Sequence, residues 1–173
     1  MKIPFATLFV SSLLIANSAL AAPLENYFFS FNSCYGRSYS FEHLQKNPDQ
    51  KVIDMAISHF PGKQELLGLD SPFQPYPETP KLILRVDVWL RGQDTAWQES
   101  AFCEPAGDQL KCGFECDGGT FYLTERSGDR LLLSLKDDLS FTQCDAGNAI
   151  LQMTAIDKDY LLSPMPRSHC RPD

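Results

Sequence analysis

The sequence has no H-E-x-x-H, no C-x-x-C and no G-x-S-x-G. The short signatures of a metalloprotease, a redox dithiol and a serine-hydrolase elbow are therefore missing. Its three histidines, His43, His59 and His169, stand in no H-x-x-x-H spacing, and the EF-hand spacing of acidic ligands is absent. Basic residues are few: 15 Lys and Arg stand against 22 Asp and Glu, giving a net charge of −7 with no Lys/Arg cluster. Such a surface repels phosphate backbones, which excludes nucleic acid as a partner class. No cofactor-binding motif is present, so none is expected.

What the chain does have begins with a leader. Lys2, an apolar run to about Ile15, and Ala19-Leu20-Ala21 before Ala22 follow the n-region, h-region and A-x-A order of a secretory signal peptide. Thr7, Ser11 and Ser12 interrupt the run, which is shorter than the roughly 20 apolar residues of a membrane span. The expectation is a signal peptide over 1–22, a single domain over 23–173, and no membrane anchor after cleavage. Losing Lys2 moves the net charge from −7 to −8.

All six cysteines (Cys34, Cys103, Cys112, Cys116, Cys144 and Cys170) lie beyond that cleavage point. An even count in the exported part reads as a disulfide framework in a periplasmic or secreted protein. Zinc fails on spacing, because no second close pair completes a site with Cys103, Cys112 and Cys116.

The body of the chain alternates short β-type runs with turns. Tyr27–Phe31 is an aromatic strand candidate. Ser40 is placed to cap a two-turn helix that Pro48 stops. Val52–Ile57 reads as a strand. In Leu82–Leu90, Leu82, Leu84, Val86, Val88 and Leu90 share one face, with Arg85, Asp87 and Trp89 on the other. From Thr95 onward, strands near 95–104, 109–115, 119–126, 130–136, 138–144 and 149–157 are joined by Gly/Asp-rich turns and form an antiparallel meander. The expected fold is all-β, a barrel or strongly curved sheet of eight or nine strands with one short N-terminal helix. A two-sheet sandwich is the alternative. The proline-rich run before Pro80 reads as a surface connector, with a stiff lid carrying Phe73 and Tyr76 as the functional alternative.

Registers constrain the cysteines. A two-residue Gly107-Asp108 turn sets Cys103 opposite Cys112 at a non-hydrogen-bonded position, within disulfide reach. Three-residue turns at 127–129 and 136–138 pair Leu123 with Leu133, Phe121 with Leu135, and Leu133 with Phe141. That register leaves Cys144 about 30 Å from Cys116 and excludes their pairing. The remaining expectations are Cys144–Cys170 and Cys34–Cys116.

Four residues stand out as binding candidates: Arg37, Trp89, Trp97 and Asp117. Asp117 and Asp145 follow cysteines in two similar Cys-Asp turns and carry oxygen chemistry that calcium accepts; turns with glycine at positive φ explain them without an ion. A Gly92-Gln93-Asp94 turn would set Asp87 opposite Glu99 and Trp89 beside Trp97. Two carboxylates beside two indoles suit a sugar-binding or glycosidase-like surface. A register one residue different separates both pairs.

The segment Cys34-Tyr-Gly-Arg-Ser-Tyr-Ser-Phe-Glu-His-Leu-Gln-Lys-Asn-Pro-Asp-Gln-Lys-Val, with the later Cys116-Asp-Gly-Gly, resembles a group of proteobacterial exported proteins with no assigned activity. Those proteins share a Cys-x-Arg-x-Tyr…His-Leu start and a Cys-Asp-Gly-Gly turn. The resemblance covers two patches and implies export and β content, not a chemistry. Arg37 lies in this stretch, three residues after Cys34 and so one further on than in the Cys-x-Arg spacing; read from its chemistry, it either meets a carboxylate or ties the first strand to the helix. The function expected is an exported binding or interaction module for an envelope component or a protein, including a hydrolase that it inhibits. An envelope hydrolase using an Asp/Glu pair and a calcium- or lipid-binding barrel are the alternatives.

Overall fold

A computed structural model describes residues 24–28, 33–60, 75–76, 79–80, 82–115, 117–143 and 146–170. The expected signal peptide, Phe73, Cys116, Cys144 and Asp145 lie outside the described residues. A 3-10 turn, Leu24–Phe28, precedes strand β1 (Cys34–Ser38), helix α1 (Phe41–Lys46) and β2 (Val52–His59). Two-residue strands β3 (Pro75–Tyr76) and β4 (Thr79–Pro80) pair with each other. Then come β5 (Leu82–Leu90), β6 (Trp97–Ala106), β7 (Gln109–Phe114), β8 (Thr120–Arg126) and β9 (Arg130–Leu135). The chain finishes with β10 (Leu139–Gln143), β11 (Ala146–Leu151), β12 (Asp159–Pro164) and a 3-10 turn, Arg167–His169.

Eight strands close into an antiparallel barrel in the order β1-β12-β9-β8-β7-β6-β5-β2, which leaves that sheet no open edge and replaces the sandwich alternative. The alternation in β5 supplies one row of the barrel's inner face. Its Leu82, Leu84, Val86, Val88 and Leu90 are all buried, and facing strands bring matching apolar rows. Inside, Ile57, Val86, Val88, Leu123, Leu133 and Leu162 have no accessible surface at all. A water-sized void beside them would expose some of that surface, so this part of the lumen is filled by side chains.

Both ends are stoppered. At one, Phe28 is fully buried with its ring 5.5 Å from that of Tyr35, and the Tyr27 hydroxyl donates to Glu125 Oε1 at 2.7 Å. Tyr27 therefore belongs to a plug, not to the strand expected over Tyr27–Phe31. At the other end, the β10–β11 hairpin packs Leu139, Phe141 and Leu151 over the barrel, with Phe141 5.1 Å from Phe114. That end also holds the buried Asp157, whose carboxylate accepts from Lys51 N at 2.7 Å and from the Tyr160 hydroxyl at 3.2 Å. Burial and that carboxylate push the Tyr160 phenol strongly up.

The β8–β9 register is the expected one, with Leu123 opposite Leu133 and Phe121 opposite Leu135. The next step differs. Leu133 faces Tyr160 of β12, not Phe141, and β10 leaves the barrel to pair with β11. After β9 the chain crosses the β7–β8 turn: Lys136 N donates to Thr120 O at 2.8 Å and Ser140 N to Gly118 O at 2.9 Å. Only glycine allows that crossing. Gly119 has φ +96°, and a Cβ there would lie 2.2 Å from Asp138 O. The distance that excluded a Cys116–Cys144 pair was measured along a β9–β10 ladder, so that exclusion falls with the ladder.

Cys103 is bonded to Cys112 across directly opposed positions, with Cα atoms 4.1 Å apart. The other two expected pairs are overturned, because Cys34 is bonded to Cys170 at a Cα separation of 5.8 Å. The cause is barrel closure. β12 pairs with β1, setting Pro164 opposite Tyr35, and Met165 N donates to Cys34 O at 2.9 Å. The tail then starts beside Cys34.

Two predictions follow from these contacts. Cys34–Cys170 spans 136 residues of sequence and Cys103–Cys112 spans 9. Loop-closure entropy then makes the paired Cys34/Cys170→Ala variant less stable than the Cys103/Cys112→Ala variant by about 2 kcal/mol. Thermal unfolding of the two checks this, and equal losses would contradict it. Gly119→Ala meets both positive φ and a backbone clash, and should cost about 2 kcal/mol or more. Gly107→Ala, at φ +71° with nothing within 4 Å, should cost only about 1 kcal/mol. Similar losses at both would contradict the close crossing.

Candidate functional site

With the lumen filled around those six side chains, binding chemistry is sought on the outer wall. One place gathers it: a groove of about 560 Å³ between α1 and the C-terminal tail, lined by Tyr39, Phe41, Asp54, Trp89, Ser168 and His169 among others. One wall is α1. Ser40 caps it, accepting from His43 N at 3.2 Å. No residue of this helix is buried, so its own packing does not hold it. Arg91 does, donating to the end-of-helix carbonyls of Leu44 at 3.0 Å and Asn47 at 3.1 Å, and to Gln50 O at 3.0 Å. His43 stacks on Tyr39 at 4.8 Å and its Nε2 lies 2.9 Å from Gln50 Oε1. The helix thereby presents Phe41 to solvent, 75 % exposed.

The tail makes the other wall. Residues 165–170 double back over the outer face of β1 and β2, and Gly36 is what lets them lie so close. A Cβ at Gly36 would come 2.9 Å from Met55 O and 3.1 Å from His169 Cδ2. His169 Nε2 lies 3.0 Å from Asp54 Oδ1, and its ring is 6.4 Å from Trp89. On the floor, the Ser38 hydroxyl donates to Asp54 Oδ2. Each Asp54 oxygen thus has one of these partners and a further lone pair.

The order of these groups decides what they can do. In a nucleophile triad the imidazole stands between hydroxyl and carboxylate, so that it can take the hydroxyl proton. Here Asp54 stands in the middle and joins Ser38 to His169. The arrangement fixes a carboxylate in position; it does not activate Ser38.

The four binding candidates separate. Trp89 lines the groove, half-buried. Arg37 is exposed and sits with its guanidinium carbon 5.0 Å from the centre of the Tyr39 ring, bracing a groove residue. Burial pushes the Tyr39 phenol up, with Arg37 pulling the other way. Trp97 packs against the core on the inner side and donates its indole N–H to the Gln93 side chain. Asp117, at φ +56°, lines a separate depression with Lys136, Asp137 and Asp138. No group of three or more His, Cys, Asp or Glu among the described residues is arranged to hold a metal ion.

The double carboxylate–indole pairing is also corrected. Asp87 faces Gln98 and Val88 faces Trp97, one residue off the register that would join the pairs. β5 ends at Leu90 and β6 starts at Trp97, with Gln93 N donating to Leu90 O at 3.1 Å, so the three-residue Gly92-Gln93-Asp94 turn does not form. Asp87 and Trp89 therefore face outward, Glu99 and Trp97 inward. Asp87 is buried with Arg85 Nε 2.9 and 2.8 Å from its two oxygens. Burial pushes its carboxyl up, with Arg85 opposing.

Ser38, Asp54 and His169 were not singled out as a site in the sequence. Asp54 and His169 stand 115 residues apart, and no motif spacing links them. The signal that would have found them is the Cys34–Cys170 bond, which brings position 169 to β1. No protein-family model matches this chain, and no curated protein and no solved structure matches it. The site is defined by its geometry.

The side chains of His169 and Asp54 are 26 % and 23 % exposed, so solvent screens the pair. His169→Ala should cost about 1 kcal/mol or less, and His169→Gln, which keeps a donor, still less. Chemical denaturation measures both; a loss at His169→Ala matching that of the Cys34–Cys170 bond would contradict this division of labour.

Proposed function

We propose that this chain is an exported binding module, acting in a periplasm or outside the cell, that takes an envelope component or a protein partner in the groove between α1 and the C-terminal tail. The observation that carries this reading is the groove itself: aromatic and aliphatic walls, an exposed Phe41, and a carboxylate held at the floor by Ser38 and His169. Apolar pockets with a few converging polar groups are the usual form of a ligand site. Export is supported by the leader pattern, by two disulfides, and by the resemblance of the Cys34–Val52 stretch to exported proteobacterial proteins. The net charge of −7 favours partners other than nucleic acid.

The alternatives draw less support. A hydrolase built on Asp87 and Glu99 would have its two carboxylates on opposite sides of the barrel wall. A lipid carrier needs a lumen, and the interior side chains named above leave none beside them. Asp137 and Asp138 line the same depression as Asp117, yet no group of three or more His, Cys, Asp or Glu among the described residues is arranged to hold a metal ion.

Co-sedimentation with Gram-negative cell-envelope material tests the reading. The wild-type protein should be retained, Phe41→Ser and Trp89→Ala should lose most of that retention, and Lys111→Ala on β7 should keep it. Retention that survives both groove substitutions, or no retention of the wild type, would overturn the proposal.

A further inference from the structure

Resting on that reading and going beyond it, we infer that the groove takes a neutral saccharide, one ring of which lies against Trp89. Three properties of the site decide the ligand class. First, three different aromatic side chains line it (Tyr39, Phe41 and Trp89), and pyranose rings present a C–H face that packs on such surfaces. Second, the floor is polar and not spent. Asp54 Oδ1 faces His169 Nε2 and Oδ2 takes the Ser38 hydroxyl, so each oxygen has a lone pair left for a hydroxyl donor. A purely apolar ligand would cover this cluster without replacing its water, at the cost of desolvated polar groups. Third, charge favours neutrality. An anionic ligand meets the Asp54 carboxylate directly and a chain of net charge −7. A neutral polyhydroxylated ring satisfies walls and floor together and leaves the Asp54–His169 contact in place.

The two tryptophans make the test direct. Trp97 lies on the inner side of the wall, so Trp97→Phe leaves Trp89 as the sole indole reporter. The oxidised protein carrying W97F is titrated with N-acetylchitotetraose, cellotetraose and maltotetraose, followed by tryptophan emission. At least one should give a saturable blue shift, and Asp54→Ala should weaken that binding about tenfold. If W97F does not fold, the indole N–H of Trp89 in the nitrogen-15 spectrum of the wild type reports the same event. No saturable response to any of the three oligosaccharides overturns the saccharide assignment. If Trp89 then responds to a peptide carrying Lys and Phe, the groove stands as a binding site with a different ligand. If envelope retention is also indifferent to Trp89→Ala, the groove reading has failed as well.

Discussion

β1 has to pair on both sides, and that constraint organises the rest of the molecule. Its five residues face β2 along one edge, from Cys34 opposite Ser58 to Ser38 opposite Asp54, and meet β12 along the other through Tyr35 and Gly36. Without the second pairing the sheet would keep two open edges. With it, the chain leaves β12 beside Cys34, the disulfide joins the tail there, and His169 comes to rest over Gly36 and beside Asp54. The groove is a consequence of closure.

The filled lumen and the outer groove are two sides of one arrangement. Large side chains occupy the interior around the named core residues, Phe28 and the β10–β11 hairpin stopper its ends, and two buried carboxylates, Asp157 and Asp87, are tied to backbone and to Arg85. Asp157 holds the start of β2, and Arg85 holds Asp87. Around the groove the hydrogen bonds fall otherwise: Arg91 secures the helix from behind, leaving Phe41 and Trp89 accessible from in front.

Much of this architecture was legible wherever period-two alternation or a two-residue turn left only one geometry. β5 could face only one way, and the Gly107-Asp108 turn fixed Cys103 opposite Cys112. Ser40 announced its helix through the capping oxygen. Legibility ended at long-range closure. Nothing local says that Gly118 and Gly119 serve a chain crossing, so β10 was read as the next barrel strand. That error displaced the tail strand Asp159–Pro164 from the barrel, and with it both remaining disulfides. The site was lost for the same reason: Trp89 and Arg37 were visible as residues, while Asp54 and His169 meet only through β1–β12 pairing. Trp97 and Asp117 were visible too, but a one-residue register and a turn put them elsewhere.

The most direct measurement of this account is the proton–proton contact between Gly36 and His169 in the oxidised protein. If β1 closes the barrel and carries the tail across its outer face, the Gly36 Hα and the His169 Hδ2 should give a clear nuclear Overhauser cross-peak. A Gly36 whose Hα sees β2 and β12 but no ring from the tail would leave the groove without its second wall.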